Sequence, residues 1–161
     1  MGDTSDSPNI DSLDAWAFDP RRVEKPWGWE LWWAHTERYV GKILHIKRGA
    51  ALSYQFHRLK DETIYVLRGE LALDLAPGGG RRRRRVLRRG DGLRIHPGDH
   101  HRMTALTTCD VLEASTPEVE DVVRLEDRYG RADATAAAGR GDRVGAARGR
   151  ARRLRARGGR T

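Results

Sequence analysis

Between residues 23 and 123 the chain alternates short apolar runs with turn signals and shows little helical periodicity. Short runs that are rich in β-branched and aromatic side chains are typical of β-strands. The pattern predicts seven strands, at residues 29–33, 40–47, 52–57, 63–67, 71–75, 89–95 and 111–114. Many short antiparallel strands in 161 residues predict an all-β single domain, a sandwich or jelly roll that closes on itself.

Turn signals rich in glycine or proline separate several of these strands. They fall at residues 68–70, 77–80 and 96–99. The second of them is followed by five adjacent arginines at residues 81–85. Because these arginines repel one another and cannot be buried, the sequence predicts a long solvated hairpin loop here. A specific anionic partner for the run is the alternative.

The two ends of the chain differ in composition from the middle. Residues 1–22 are rich in Asp and Ser and predict a mobile N-terminal arm, residues 23–130 form the domain, and residues 131–161 contain mainly Ala, Gly and Arg. A tail of that composition has no apolar face and is predicted to be disordered.

The polar, acidic start does not fit a secretory signal, and no apolar run is long enough to span a membrane. A single cysteine, Cys109, excludes an internal disulfide framework and is typical of a reducing compartment, so we expect a cytoplasmic protein.

The net charge of +8 suggests a nucleic-acid partner, but its distribution argues against one. Residues 131–161 contain ten Arg and two Asp, which account for the whole excess, and residues 1–130 are neutral. Weak, salt-dependent adhesion to nucleic acid is expected of any such tail. Specific nucleic-acid binding is therefore not expected.

Four side chains that can bind a metal ion lie in two glycine-flanked stretches: Gln55, His57, Glu62 and His101. Gln55 and His57 are two residues apart, so on a strand both point to the same face. Imidazole nitrogen together with carboxylate oxygen suits a borderline divalent ion, zinc first, with manganese, cobalt, nickel or iron as alternatives. Three or four protein ligands leave room for water or substrate, which is typical of a catalytic site.

Ordinary structural roles are also open to these residues and to other residues near them. A strand histidine is often hydrogen-bonded in the core or at the rim, and Glu62 could be a solvated turn charge. Of the other histidines, His96 and His100 are expected at an exposed rim. The sequence does not decide to which face of its strand His45 points. Four tryptophans are expected to cover the closed sheets rather than to bind a ligand: Trp27, Trp29, Trp32 and Trp33.

The spacing around these ligands resembles the two sequence motifs of the cupin superfamily. Gly49-x5-Gln55-x-His57-x4-Glu62-x6-Gly69 resembles the first motif, with Gln55 where many cupins have a histidine. Gly90-x5-His96-Pro97-Gly98-x2-His101 resembles the second. The resemblance implies a jelly-roll β-barrel in which the residues matching Gln55, His57, Glu62 and His101 hold a divalent metal ion.

Three segments are similar to one cupin family in particular, the type II phosphomannose isomerase domain. They are Lys25-Pro26-Trp27-Gly28, Leu52-Ser53-x-Gln55-x-His57-x2-Lys60-x-Glu62, and the closing segment at residues 120–131. The similarity extends over about residues 23–131 and implies interconversion of mannose 6-phosphate and fructose 6-phosphate. Leu59-Lys60 stand where that family usually has His-Arg, and Thr63-Ile64 where it has His-Trp.

The implied reaction moves a proton between C1 and C2 of a sugar phosphate through an enediolate, with a divalent ion polarising the carbonyl. Lys60, and Arg102 beside His101, are the candidate catalytic cations for the phosphate or the enediolate. The expected partners are a small-molecule sugar phosphate and a second copy of the chain in a homodimer. Two other functions stay open: a non-catalytic metal-binding cupin that binds a sugar or nucleotide-sugar as a sensor or accessory module, and a different cupin enzyme such as an iron oxygenase.

Overall fold

Residues 17–133 are described by the structure, a computed structural model, and they form two antiparallel sheets. The strands are β1 (Arg21–Lys25), β2 (Gly28–His35), β3 (Val40–Ile46), β4 (Tyr54–Phe56), β5 (Glu62–Arg68), β6 (Glu70–Ala76), β7 (Arg83–Arg88), β8 (Gly92–Ile95), β9 (His100–Ala105), β10 (Cys109–Ser115) and β11 (Val123–Glu126). The first sheet has the order β1-β2-β3-β10-β5-β8 and the second the order β11-β4-β9-β6-β7. The predicted all-β jelly-roll architecture is confirmed.

The helical content of residues 17–133 is a 3-10 turn at Pro77–Gly79. No helix within that range has the length and apolarity needed to cross a membrane. The predicted mobile arm and disordered tail fall mainly on residues 1–16 and 134–161, which lie outside the described residues. The first strand begins at Arg21, ahead of the predicted start of the domain at residue 23.

All seven predicted strands occur, with ends that shift by up to three residues, but four further strands were not predicted. One of them corrects the prediction of a solvated loop at residues 81–85, because Arg83–Arg88 form β7 and pair with β6 along its length. Carboxylates across the pairing relieve the repulsion: Arg84 forms a two-pronged ion pair with Asp74, and Arg88 lies 3.0 Å from Glu70. The arginines of the run are exposed as predicted, but most of them belong to a strand at the sheet edge.

The inner faces of the two sheets enclose a core that changes character along the strands. Leu44, Ile64 and Val111 of the first sheet pack against Leu73 and other apolar residues of the second. Two residues further along the same strands, on the same face, the chain places Lys42, Glu62 and Glu113 instead, and all three are buried. One end of the barrel is therefore a dry apolar core, and the other is a charged pocket.

Candidate metal centre

His57, Glu62 and His101 converge at the charged end of the barrel. Each offers one ligand atom, and these atoms lie within 4.8 Å of one another. Glu62 Oε1 is 3.1 Å from His101 Nε2 and 3.9 Å from His57 Nε2. All three side chains are buried, so the cluster lies inside the barrel and not on an acidic surface.

Hydrogen bonds to the backbone orient both imidazoles. His57 Nδ1 lies 2.5 Å from the carbonyl oxygen of Asp121, and His101 Nδ1 lies 3.0 Å from that of Asp99. Because a carbonyl only accepts, Nδ1 carries the proton in each ring and Nε2 turns its lone pair towards Glu62. Burial lowers the pKa of His57 below its ordinary value of 6.5, which favours the neutral ring that a metal ion requires.

Two atoms of the cluster lack a hydrogen-bond partner among the described residues: Glu62 Oε1 and His101 Nε2. Buried polar atoms without partners are rare in folded proteins, because leaving them unsatisfied is costly. A divalent cation between them would satisfy both, and the donor set of two imidazoles and a carboxylate suits zinc and its neighbours. The residues present therefore fit a metal ion, and the described part of the chain contains a His-Glu-His cluster that could bind one.

Gln55, the fourth predicted ligand, lies beside the cluster with its amide nitrogen towards His57 and its amide oxygen turned away. It sits on β4 directly opposite His101 of β9. Its Nε2 is 3.5 Å from His57 Nε2, while its Oε1 accepts a hydrogen bond of 2.5 Å from Ser53 Oγ. Ligation through the oxygen would require the amide to rotate by half a turn, so the role of Gln55 as a ligand stays a prediction.

Lys60 is buried in the site and holds the carboxylate of the cluster in place. Its Nζ lies 2.5 Å from Glu62 Oε2 and 2.6 Å from Glu113 Oε1. Burial alone would lower the pKa of Lys60, but attraction to Glu113 and Glu62 outweighs it and raises the pKa above 10.5. Burial alone would raise the pKa of Glu62, but the approach of His101 and the charge of Lys60 keep it below 4.5. Both groups are therefore charged, and Glu62 Oε2 is occupied while Oε1 faces the imidazoles.

Lys60 also belongs to a row of alternating charges beside the first sheet, here called the charge row, which ends at Glu62. Lys42 Nζ lies 3.6 Å from Glu113 and 4.0 Å from Glu30, and Lys25 Nζ lies 3.5 Å from Glu30. Sequence reasoning missed Lys42 and Glu113, although each interrupts an apolar strand face, which is a readable signal for a functional or paired charge. The members of the row are Lys25, Glu30, Lys42, Glu113, Lys60 and Glu62.

The structure does not bring Arg102 into the cluster. His101 points into the barrel, so its neighbour on the strand points outwards. The Arg102 guanidinium lies 2.9 Å from Glu126 Oε2 on the outer face of the second sheet. The three extra histidines are also outside the cluster: His45 pairs with Asp110, His96 is exposed, and His100 stacks on Phe56.

A pocket of about 160 Å³ opens beside the cluster. His57, Glu62 and Lys60 line it together with Trp27 and Trp32, so two of the four tryptophans expected to cover the barrel face this space. The closing segment contributes two more cations to the wall, Arg124 and Arg131, which sequence reasoning did not assign to the site. The pocket therefore joins a metal-capable cluster to a wall that carries tryptophans, cations and carboxylates.

No protein-family model and no curated protein matches this chain. Among solved structures, KdgF from Halomonas sp. is similar at 25% identity and a TM-score of 0.53, over 65% of this chain and 92% of KdgF. CapF from Staphylococcus aureus, a capsular polysaccharide assembling protein, is similar at 16% identity and a TM-score of 0.58, over 69% of this chain and 35% of CapF. Oxalate decarboxylase from Bacillus subtilis is similar at 16% identity and a TM-score of 0.59, over 66% of this chain and 30% of the enzyme. The chain thus spans most of KdgF but only about a third of the other two proteins. All three are cupin-fold proteins, and this chain has the cupin fold.

Proposed function

We propose that this protein is a metal-dependent sugar-phosphate isomerase of the mannose 6-phosphate/fructose 6-phosphate type. The observation that carries the proposal is the His57–Glu62–His101 cluster, two of whose members, His57 and Glu62, line a pocket that also contains lysines and arginines. The motifs that resemble the type II phosphomannose isomerase domain support the choice of substrate. The likeness to CapF, which is described as a capsular polysaccharide assembling protein, agrees with a carbohydrate ligand.

The residues of the cluster have separable tasks in this proposal. His57, Glu62 and His101 would hold a divalent ion, which polarises a carbonyl and stabilises negative charge on its oxygen. Lys60 is a positioning residue, because it occupies Glu62 Oε2 and leaves Oε1 towards the imidazoles. The carbonyls of Asp121 and Asp99 fix the two rings, so the ligand atoms are arranged before an ion or a substrate arrives.

The pocket wall is suited to a partly apolar, partly anionic ligand. Trp27 and Trp32 line the space, and their side chains are 3% and 8% exposed. Lys42 lies 4.3 Å from the centre of the Trp32 ring, so this aromatic face is already engaged by a cation. Trp27 and Arg124 remain for a sugar ring and its charged substituent, because Arg131 is already paired with Asp127.

The test is an isomerase assay on full-length protein loaded in turn with zinc, manganese and cobalt. Mannose 6-phosphate should be converted to fructose 6-phosphate, and glucose 6-phosphate and ribose 5-phosphate serve as specificity controls. His57→Ala should abolish turnover, whereas His96→Ala, which changes an exposed histidine outside the cluster, should leave it unchanged. Stoichiometric metal binding without turnover of any of these sugar phosphates would contradict the proposal.

The same preparation separates the two other functions. Sugar or nucleotide-sugar binding in the micromolar range without turnover would identify a non-catalytic binding module. Oxygen consumption that depends on added ferrous ion would identify an oxygenase.

A further inference from the structure

Arg124 lies in one row with two of the predicted metal ligands. It is directly opposite Gln55 across β11 and β4, and Gln55 is directly opposite His101 across β4 and β9. Residues directly opposed in antiparallel strands point to the same face, with Cβ atoms about 5 Å apart. The Cβ of Arg124 is therefore about 10 Å from that of His101 on the inner face, and an arginine side chain can reach a small ligand held at the cluster.

The guanidinium of Arg124 has no carboxylate partner within residues 17–133. Its Nε is buried and makes no hydrogen bond there. The arginines near it are occupied: Arg131 forms a two-pronged pair with Asp127, and Arg102 pairs with Glu126. Arg124 lines the pocket, and its buried Nε–H has no acceptor among these residues. A bound ligand could supply that acceptor.

The backbone of Arg124 is held from both sides. Its N–H donates to Asp133 Oδ2 at 2.7 Å, and its carbonyl accepts from the N–H of Asp133 at 3.1 Å. This reciprocal pair ties the first half of β11 to the segment that follows the strand. Because the backbone is fixed, the side chain of Arg124 starts from a defined point on the inner face, and only its own rotamers remain to be ordered when a ligand binds.

We propose that Arg124 binds a negatively charged group of a sugar ligand whose other end faces the metal cluster. A guanidinium offers two parallel N–H donors that match the oxygens of a phosphate or a carboxylate. The choice of phosphate rests on the proposed function, whereas the anion-binding role of Arg124 rests on the row and on the unpaired guanidinium. The anion-binding role that the sequence suggested for Arg102 thereby passes to Arg124.

The test is calorimetric binding of three probes to the zinc-loaded full-length chain: mannose 6-phosphate, glucuronate and mannose. The variants are Arg124→Gln and Arg124→Lys, and the matched control is Arg85→Gln, which removes an exposed arginine from β7 of the same sheet. Arg124→Gln should weaken the binding of whichever charged probe, mannose 6-phosphate or glucuronate, the native protein binds. The expected loss is about 10- to 100-fold, the range of a lost charge-assisted hydrogen bond. Arg124→Lys should lose part of that affinity, because it keeps the charge but not the fork. Arg85→Gln should bind all three probes as the native protein does. In every variant the affinity for mannose and the zinc content should stay at the native level.

Several outcomes would overturn the role of Arg124. They are an unchanged affinity in Arg124→Gln, an equal loss for mannose, an equal loss in Arg85→Gln, and no binding of any probe by the native chain. If Arg124→Gln fails to fold, Arg124→Lys decides by the same criteria. Binding of glucuronate in preference to mannose 6-phosphate, or Arg124-dependent binding of mannose 6-phosphate without turnover, would support the role of Arg124 while contradicting the isomerase proposal.

Discussion

Replacing Lys60 with Met should destabilise the protein strongly, because it leaves buried carboxylates without their cation. Lys60 is 4% exposed, and its partners Glu62 and Glu113 are 2% and 5% exposed. Removing one partner of a buried ion pair typically costs about 3–5 kcal/mol. Glu113 keeps Lys42 at 3.6 Å, whereas Glu62 keeps only imidazoles, so we expect the lower end, about 3 kcal/mol.

The assay is urea unfolding with and without chelator. In chelator the full loss should appear, whereas with zinc the loss should be smaller, because a cation at the cluster again compensates Glu62. Arg94→Gln is the matched control, because Arg94 Nη2 lies at the same 2.5 Å from Asp61, but its side chain is 59% exposed. Exposed pairs contribute about 0–1 kcal/mol, so this variant should be nearly neutral. Equal effects of the two substitutions, or a chelated Lys60→Met within about 1 kcal/mol of the native protein, would refute the reasoning.

The dependence of this stabilisation on pH follows from the two pKa shifts. The folded state lowers the pKa of Glu62, so the contribution of Glu62 is complete above its ordinary value of 4.5 and is lost as the pH falls towards the folded value. The folded state raises the pKa of Lys60, so that contribution is complete below 10.5 and is lost as the pH rises through the folded value. The difference in unfolding free energy between native protein and Lys60→Met should therefore be constant around neutral pH, and it should shrink in acid once Glu62 takes up a proton in the folded variant.

Three further predictions concern the cluster and one glycine. His57→Ala should lose most of its metal by mass spectrometry after gel filtration, and an unchanged content would exclude His57 as a ligand. Metal affinity of the native protein should fall as the pH drops through and below 6.5, because protons compete for the imidazoles, and the lowered pKa of His57 should place the fall at lower pH than for free imidazole. A fall in affinity that begins at higher pH than the titration of free imidazole, or an affinity that does not decline in acid at all, would contradict this. Gly28→Ala should unfold the chain or lower its unfolding free energy by more than about 3 kcal/mol, because the new Cβ would lie 1.8 Å from the backbone oxygen of His45. Gly90→Ala, where φ is also positive but the space is open, should cost only about 1–2 kcal/mol in the same urea titration.

Local pattern was enough to predict the strands that carry apolar residues, and it failed where charge masked the alternation. In β9, His101, Met103 and Ala105 point inwards and the residues between them outwards, a strict period of two that the charged Arg102 obscured. The same parity places Arg102 on the opposite face from His101, so its absence from the pocket could have been read from the sequence. In β7, the acidic partner of Arg84 lies ten residues away on another strand, and no local rule indicates it.

The candidate site was predictable only in part, for a related reason. His57, Glu62 and His101 were identified from spacing, and the structure brings them together. Arg124 was visible within the closing segment, but its position opposite Gln55 depends on the register between β11 and β4, which are far apart in the chain. Long-range register is set by the packing of the whole barrel, so sequence spacing cannot supply it.

The charge row gives the pocket a particular order of loading. The row contains three lysines and three glutamates in contact, so its charges balance before any ion enters. Because Lys60 already neutralises Glu62, a divalent ion held by the cluster would keep most of its double positive charge in place of sharing it with its carboxylate ligand. The chelated protein should therefore retain inorganic phosphate weakly and the zinc-loaded protein much more strongly. This arrangement favours binding of the metal ion before the anion, and excess phosphate in a buffer should compete with the proposed sugar-phosphate ligand.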